Sequence, residues 1–326
     1  MFQNHKVIDV HGHMTTPPHF RGHLGGMISL NTPGRKLELS DEQLANAQKS
    51  HLKGMDERNI DVQLLGPRPV AMWHWTRPFL QEAICRLTND VIARIVKLHP
   101  DRFLGMAQLP QSAELDTRNC LAELERCVKE LGFVGAYVNP DPGGRRQAPG
   151  MHDEYWHPLY QKAQDLDVPL MVHPSTSYDT RIEVIPHNYQ MNNYIEEFIA
   201  MHLLSHSNVF EKFPRLKVVI CHCGGALNRF IPTDHHLAQK DLSKNLFYDC
   251  CAYDVNFLTA AIRQKGVEQM MFGTEFPGSG GAVRPETGRA SDDLFPVIDS
   301  LEFLSAEDKL KIFHANPLRV FTRVKV

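Results

Sequence analysis

KVIDVHGH, residues 6–13, is a short apolar run that ends in a His-x-His pair. In a doubly wound sheet that binds dinucleotides, the first strand leads instead into a glycine-rich loop of the form G-x-G-x-x-G. That loop is missing here, because His11, Gly12 and His13 follow the apolar run directly. The stretch therefore favours a different arrangement of parallel strands.

Seven further apolar runs of strand length follow along the chain, each bounded by Gly, Pro, Asp or His. The eight predicted strands are residues 6–10, 61–66, 102–108, 133–138, 168–172, 216–221, 246–250 and 269–272. The segments between them have helical spacing, as in 79–98 and 116–131, and Gly132 stands where a helix C-cap belongs. This alternation predicts an α/β protein, a distorted (β/α)8 TIM barrel, with an open doubly wound sheet as the competing fold.

Two irregular stretches interrupt the alternation. Residues 14–55 follow the first strand and end in a predicted helix that is capped by Ser40 or Asp41. We interpret 14–55 as a lid insertion over the active site, and 278–292, after the eighth strand, as a second loop at the same rim. The chain, 1–326, is then expected to form a single barrel domain.

Composition excludes several classes of function. The 326 residues are 42% hydrophobic and include 35 basic and 38 acidic residues, so no surplus of cations is left for the phosphates of a nucleic acid. No apolar run approaches the ~18 residues of a membrane span, and the N-terminus lacks the pattern of a secretion signal. We expect a cytoplasmic protein without a membrane role; homo-oligomerisation stays open. The seven cysteines lack zinc-knuckle spacing and are interpreted as free core thiols.

Histidines and one glutamate stand at the ends of predicted strands. His11 and His13 end the first strand, His173 the fifth, His222 the sixth and Glu275 the eighth. The C-terminal ends of barrel strands converge on the barrel axis, so these residues are expected to meet at one mouth. Each histidine taken alone fits a core or rim role equally well. Their shared position at strand ends is what favours a metal site.

A donor set of three imidazoles and one carboxylate suits one Zn²⁺, with Mn²⁺ or Fe²⁺ as replacements. The predicted ligands are His11, His13, His173 and Glu275. A second ion would need a bridging ligand at the end of strand four, where the chain has Val138-Asn139-Pro140. The ion would lower the pKa of bound water toward ~7, and addition of that water also needs a proton carrier. His222 and Glu275 are the predicted catalytic residues for this role.

The pattern resembles the amidohydrolase superfamily, specifically its amidohydrolase-2 (ACMSD-like) branch, and the resemblance runs nearly end to end. It is carried by H-x-H after strand one, His after strands five and six, and an acid after strand eight. Within the branch, the chain is similar to bacterial meta-cleavage-product C–C hydrolases and 4-oxalomesaconate hydratases of lignin-derived aromatic catabolism. The similar stretches are IDVHGH (8–13), GPRP (66–69), AELERCVKELGFVGAYVNPDPGG (122–144), YWHPLYQKAQDLDVPLMVH (155–173) and FGTEFPG (272–278).

This resemblance implies a metal-dependent enzyme that adds water to a carboxylated, conjugated product of aromatic ring fission, with C–C bond hydrolysis favoured. The alternative is nonoxidative decarboxylation of an aromatic or muconate-type acid. It ranks second because decarboxylases of the branch usually carry Asp where this chain has Glu275. His222-Cys223-Gly224-Gly225 also departs from the H-G-G-G of the similar enzymes, which leaves the substrate open. A metal-binding protein without catalysis is a third candidate, and the open coordination position argues against it.

A small carboxylated substrate needs cationic and amide contacts at the rim. Arg68, between two prolines after strand two, is well placed for bidentate carboxylate binding, with a loop-stabilising salt bridge as the alternative. Asn139 after strand four and Arg284 in the loop after strand eight are the other predicted substrate contacts. Arg145 and Arg146 are further candidates for anion binding.

Two additional features border the predicted mouth. Asp249, at the end of strand seven, is predicted to hydrogen-bond to a ligand histidine and orient it. Trp73, His74 and Trp75 form an aromatic patch, for which stacking on a planar substrate and packing at the rim are both open.

Overall fold

The computed structural model describes residues 1–34, 36–175, 179–186 and 188–326. All eight predicted strands are present, several of them shorter than predicted. The strands are β1 (Ile8–His13), β2 (Val62–Gly66), β3 (Phe103–Ala107), β4 (Gly135–Val138), β5 (Leu170–Val172), β6 (Val218–Ile220), β7 (Leu246–Asp249) and β8 (Met270–Met271).

The strands pair in parallel in sequence order from β1 to β8. Val10 N donates to Phe272 O at 2.9 Å, and Glu275 N donates to His11 O at 2.8 Å, so the chain at the end of β8 is bonded back to β1. These bonds join the two edges of the sheet. The predicted (β/α)8 barrel is confirmed, and the open doubly wound sheet is wrong.

Helices follow the strands around the barrel. In the described ranges they are α1 (Pro18–Ser29), α2 (Asp41–Glu57), α3 (Pro78–Leu98), α4 (Leu121–Lys129), α5 (His157–Leu166), α6 (Asn188–His206), α7 (Val209–Lys212), α8 (Val255–Lys265), α9 (Phe295–Asp299), α10 (Ala306–Leu310) and α11 (Asn316–Val320). The predicted helix 79–98 is α3. The predicted helix 116–131 is a short 3₁₀ turn followed by α4, and Gly132 follows with a φ of 71°. Within those ranges no helix has the length and apolarity of a membrane span.

Residues 14–55 contain two helices, and Arg35 within them lies outside the described residues. Ser40 begins α2 with a capping box, because its hydroxyl accepts from Gln43 N while the Gln43 side chain accepts from Ser40 N. This helix ends at Glu57, and β2 begins at Val62. Because α2 is the helix that connects β1 to β2 in the regular alternation, α1 is the inserted helix.

The barrel interior is filled by alternate residues of the strands. One cluster of buried side chains takes a member from each of the eight strands, namely Ile8, Leu64, Met106, Tyr137, Met171, Val219, Phe247 and Met271. The intervening residues pack outward against the helices. All seven cysteines are buried and unpaired, as predicted. The site described below therefore stands on a packed interior.

Candidate metal centre and active site

Four side chains from three strand ends converge at the mouth of the barrel. One nitrogen or oxygen from each of His11, His13, His173 and Glu275 lies within 4.8 Å of the others. Nε2 of His11, Nε2 of His173 and both ring nitrogens of His13 are buried and make no hydrogen bond with any described residue. Buried polar atoms are rarely left without partners, so this cluster fits a bound cation.

A β-bulge turns the first two histidines toward the mouth. Ile8 and Val10 both belong to the cluster inside the barrel, so strict alternation would place Gly12 inward and both histidines outward. The pairing of β1 with β2 shifts register between Asp9 and Gly12. The shift reverses the alternation, and the rings of His11 and His13 come to lie 5.0 Å apart, centroid to centroid.

Hydrogen bonds at the far side of two rings fix their orientation. Nδ1 of His11 lies 2.7 Å from Oδ2 of Asp249, which is the contact that the sequence predicts. Nδ1 of His173 donates to the carbonyl oxygen of Pro174 at 2.7 Å. Each bond places the proton on Nδ1 and leaves Nε2 as the nitrogen that faces the cluster.

The local electrostatics keep two of these imidazoles neutral. Burial, together with the neighbouring histidines, lowers the pKa of His13 and of His173 well below the ordinary value. Metal-binding histidines must be unprotonated. His13 and His173 are therefore in the protonation state that a divalent cation requires.

Glu275 occupies a left-handed backbone conformation with a φ of 62°, which is costly for a residue with a side chain. Its Oε2 accepts hydrogen bonds from Tyr253 and Ser279, both at 2.8 Å. Its Oε1 lies 3.9 Å from Nε2 of His13 and 3.8 Å from Nε2 of His222. One carboxylate oxygen is thus anchored, and the other stands between the candidate ligands and His222.

His222 also has a left-handed backbone, with a φ of 48°, and its ring is clamped between two carboxylates. Its Nδ1 donates to Oε1 of Glu197 at 2.7 Å, while Nε2 faces Glu275. Burial favours the neutral ring, but the charges of Glu197 and Glu275 outweigh burial and raise the pKa of His222 well above its ordinary value. Burial also acts on Glu275, yet nearby His222 reverses its effect and the pKa of Glu275 lies well below normal. An imidazolium therefore stands beside an ionised carboxylate.

Three residues of this site were not predicted: Glu197, Tyr253 and Asp9. Glu197 lies on α6 among apolar residues and is fully buried, and an acid inside an apolar helical stretch is the one sequence signal that pointed to it. Tyr253 follows β7 with no motif around it. Asp9 is a buried carboxylate that accepts hydrogen bonds from Gln63 and from the backbone and side chain of Thr274. It ties β1 to β2 and to the segment that carries Glu275.

Arg68 lies at the rim and is partly buried. Its Nε donates to the carbonyl oxygen of Met14 at 3.1 Å, and no described carboxylate lies within ion-pair distance of its guanidinium. Its charge nevertheless contributes to the low pKa of His13, so it stands near the cluster. The described residues do not form the loop-stabilising salt bridge that was the alternative role for Arg68.

The side chains of Asn139 and Arg284 both form hydrogen bonds with neighbouring protein groups. The Asn139 amide contacts Nδ1 of His74 at 3.2 Å and accepts from Asp141 N at 3.1 Å. Arg284 donates from Nη2 to Ser291 O at 2.8 Å, within its own loop. Its Nε is buried without a hydrogen-bond partner among the described residues, so this donor is left for a ligand.

The two adjacent arginines after β4 behave differently. Arg146 donates to Glu196 at 2.6 Å and to Asn192 at 2.9 Å, and pairs with Asp179 at 3.2 Å. Its guanidinium is therefore paired with Glu196, Asn192 and Asp179, and binding of a substrate anion by Arg146 stays a prediction. Arg145 is exposed and lines a cavity of about 510 Å³ together with half-exposed Trp75.

Comparison with known proteins agrees with this architecture. The chain is 34% identical over 337 residues to a 2-keto-4-carboxy-3-hexenedioate hydratase of Sphingobium sp. The alignment covers 98% of this chain and 96% of that protein. It is 31% identical over 260 residues to a gamma-resorcylate decarboxylase of Polaromonas sp., spanning 72% of this chain and 78% of that protein.

The crystal structure of the 4-oxalomesaconate hydratase LigJ from Rhodopseudomonas palustris matches with a TM-score of 0.85 at 30% identity, covering 97% of this chain and 96% of that one. The sequence profile of the amidohydrolase family matches residues 8–323. This chain therefore belongs to the amidohydrolase family and is an enzyme of that superfamily.

Proposed function

We propose that this enzyme is a metal-dependent hydratase that adds water to a conjugated, carboxylated alkene, with 2-keto-4-carboxy-3-hexenedioate as the first candidate substrate. The observation that carries the proposal is the position of Glu275 Oε1, 3.9 Å from His13 Nε2 and 3.8 Å from His222 Nε2. An ionised base and a cationic acid thus border the candidate metal ligands. The similarity to two hydratases supports hydration over the C–C bond hydrolysis that the sequence favours.

One divalent ion is proposed to be held by four residues: His11, His13, His173 and Glu275. Three neutral imidazoles and a carboxylate suit Zn²⁺, and Mn²⁺ or Fe²⁺ accept the same donors. When bound, the ion supplies a water of lowered pKa and polarises a substrate oxygen. The unpartnered Nε2 atoms of His11 and His173 support this assignment.

The proton balance of hydration assigns a role to each member of the proposed catalytic pair. Water addition forms a C–O bond at one alkene carbon, releases a proton from the water and adds a proton to the other carbon. Glu275 Oε1, which lies opposite the oxygen that Tyr253 and Ser279 hold, is placed to accept the proton that the water loses. His222 carries a proton on Nε2 and is placed to donate it to carbon, while Glu197 holds the ring in position.

Three residues are proposed to bind the substrate carboxylates. Arg68 offers the donors of its guanidinium that Met14 does not occupy, and a guanidinium fork matches a carboxylate in two parallel hydrogen bonds. Arg284 offers its unpartnered Nε, and Asn139 offers the second hydrogen of its amide nitrogen. Specificity for an acid with several carboxylates follows from these separated contacts.

A second candidate function is nonoxidative decarboxylation, which the 31% identity to a gamma-resorcylate decarboxylase favours. That reaction uses the same ion and a proton donor, but no attacking water. His222 would protonate the carbon from which carbon dioxide leaves. The Glu275 carboxylate, kept ionised beside His222, fits the acceptance of a proton from water better than it fits this alternative.

The test is turnover of 2-keto-4-carboxy-3-hexenedioate by the metal-loaded enzyme in water labelled with oxygen-18. We expect loss of the ultraviolet absorbance of the conjugated system and a product heavier by one labelled water. Two smaller products would indicate C–C hydrolysis instead. Release of carbon dioxide, from this acid or from gamma-resorcylate, would establish the decarboxylase.

A further inference from the structure

A cavity of about 350 Å³ lies outside the barrel, between α6, α8 and the connection that leads to β7. Part of its wall is apolar and includes Met201, Leu242 and Tyr248, and the rest is polar. Its lining residues differ from the candidate metal ligands and from the proposed substrate contacts. The function proposed above gives this cavity no role.

Lys265, in the last turn of α8, brings an ammonium group to this cavity. Its Nζ lies 2.8 Å from Sδ of Met201 and 4.7 Å from the centre of the Tyr248 ring, and no described carboxylate lies within ion-pair distance of it. Lysines usually bury the carbon stem and keep the ammonium in water. Burial here lowers the pKa of Lys265 to about 8. The ammonium is thus held against apolar side chains without a protein counter-ion from the described ranges.

The amide nitrogen of Asn228 is a second donor on the cavity wall. The Asn228 side chain is 5% exposed, and its Oδ1 accepts from Phe230 N at 2.9 Å, which fixes the orientation of the amide. Within the part of the chain that the structure describes, Nδ2 donates no hydrogen bond. Buried donors rarely stay without a partner, so this one is available to a ligand in the cavity.

The charges around the cavity favour an anion. Its described lining includes Lys265, Lys240 and one acid, Asp241. His202 adds no charge, because burial and the nearby cations lower its pKa. One positive charge is left over, beside a wall that is partly apolar. An anion with a single negative charge and an apolar body matches both properties, whereas inorganic phosphate lacks the apolar body.

We propose that this cavity binds a small organic monocarboxylate. Its carboxylate pairs with the Lys265 ammonium and accepts a hydrogen bond from Asn228 Nδ2, while its apolar body lies against Met201 and Tyr248. The anion supplies the counter-charge that the protein does not, and the attraction is strengthened by the partly buried surroundings. The site uses none of the metal ligands, so it does not depend on the proposed function.

The reactivity of Lys265 toward a neutral N-hydroxysuccinimide ester reports on the site, with benzoate as the probe. With a pKa of about 8, about a quarter of the Lys265 amines are neutral at pH 7.5, against about one in a thousand for an ordinary lysine. Lys265 should therefore be labelled rapidly, as measured by peptide mass spectrometry. Saturating benzoate should slow this labelling about 10-fold or more, because the ion pair keeps the amine protonated.

The same samples contain the control. Lys217 is also partly buried, but its Nζ pairs with Asp167 at 3.3 Å, so benzoate should leave its labelling unchanged. Benzamide has the shape of benzoate without the charge, and it should not protect Lys265; neither should inorganic phosphate. Labelling of Lys265 that benzoate does not slow would overturn the proposal. Equal protection by benzamide or by phosphate would overturn the assignment of an organic carboxylate.

Thermal unfolding of variants gives an independent measurement. Lys265→Met should fold, because it replaces an unpaired ammonium by an apolar side chain among apolar neighbours. Benzoate should raise the Tm of the wild-type protein and of Lys217→Met by about 1 to 3 °C more than that of Lys265→Met. An equal rise in all three proteins would show that benzoate binds elsewhere. Neither measurement needs turnover, so failure of the hydratase assay counts against the proposed function and not against this site.

Discussion

The Nδ1 atom of His222 lies 2.7 Å from Oε1 of Glu197, a carboxylate that no solvent reaches. Burial and the neighbouring charges place the pKa of Glu197 at about 7, and Glu197 in turn raises the pKa of His222. The two residues interact in a buried environment of low dielectric constant, where the attraction between opposite charges is stronger than in water. The protonation state of the proposed acid is therefore set by a residue that does not touch the substrate.

Replacing Glu197 by Gln should change the pH dependence of the reaction. Activity that needs cationic His222 is present below the pKa of His222 and is lost as pH rises through it. Glu197→Gln keeps the shape but removes the charge, so the alkaline limb of kcat/KM should move about 1 to 2 pH units lower. Glu196→Gln is the control, because its carboxylate pairs with Arg146 instead. An alkaline limb that stays in place in Glu197→Gln would show that His222 is not the titrating acid.

Substitutions at His222 and Glu275 should separate the proton carrier from the metal ligand. His222→Asn should lower kcat by ~10² to 10⁴-fold with the metal still bound, because a proton donor is lost. Glu275→Gln should lower kcat and also metal occupancy if its carboxylate is a ligand. Metal analysis and steady-state kinetics on the same preparations give the answer. If both variants keep near-normal kcat, neither residue carries the proton, and the roles proposed for His222 and Glu275 are wrong.

Removing a candidate ligand should remove metal and activity together. His11→Ala and His13→Ala are expected to lose about one equivalent of metal while the barrel stays folded, because neither side chain belongs to the apolar cluster that fills its interior. Asp249→Asn should be milder, with metal affinity reduced ~10 to 100-fold, since Asp249 orients His11 and is not itself a proposed ligand. Elemental analysis and circular dichroism report the two properties, and His206→Ala, on α6, is the control. Loss of folding in His13→Ala would make the site structural.

Arg68→Lys keeps the positive charge but loses the planar fork. The proposed carboxylate contact would then lose one of its two parallel hydrogen bonds. Transition-state binding should therefore weaken by about 1 to 3 kcal/mol, and kcat/KM should fall, mostly through a higher KM. Arg118→Lys, at an exposed arginine, should have no effect on either constant. Kinetics with the candidate substrate decide the matter, and an unchanged kcat/KM would end the assignment of Arg68.

The adjacent arginines 145 and 146 should differ in their contribution to stability. Arg146→Ala leaves the carboxylate of Glu196, which is 6% exposed, without its cation and should lower the free energy of unfolding by about 1 to 3 kcal/mol. Arg145→Ala, at an exposed side chain, should stay within ~0.5 kcal/mol. Urea unfolding of both variants measures the difference. Equal stabilities would mean that the Arg146 ion pairs contribute nothing net.

The sequence by itself determined the barrel and the identity of the four candidate ligands. Eight buried strands are recognised as eight short apolar runs because every side chain on them faces either the interior or the helices, and both of these surroundings are mostly apolar. A histidine or acid that ends such a run marks the barrel mouth. His173 needs nothing more, since it follows Met171 by two residues and alternation points both inward.

Tertiary structure alone decided how the remaining groups reach one another. Alternation would have turned His11 and His13 outward, and the register shift between β1 and β2 reverses it. Left-handed backbone at His222 and Glu275 aims side chains that no local pattern places. Glu197 and Tyr253 come from α6 and the loop after β7, and their contacts depend on packing between elements far apart in the chain. Sequence patterns report burial along one element, whereas a shared proton or metal depends on distances between elements, which only the closed barrel fixes.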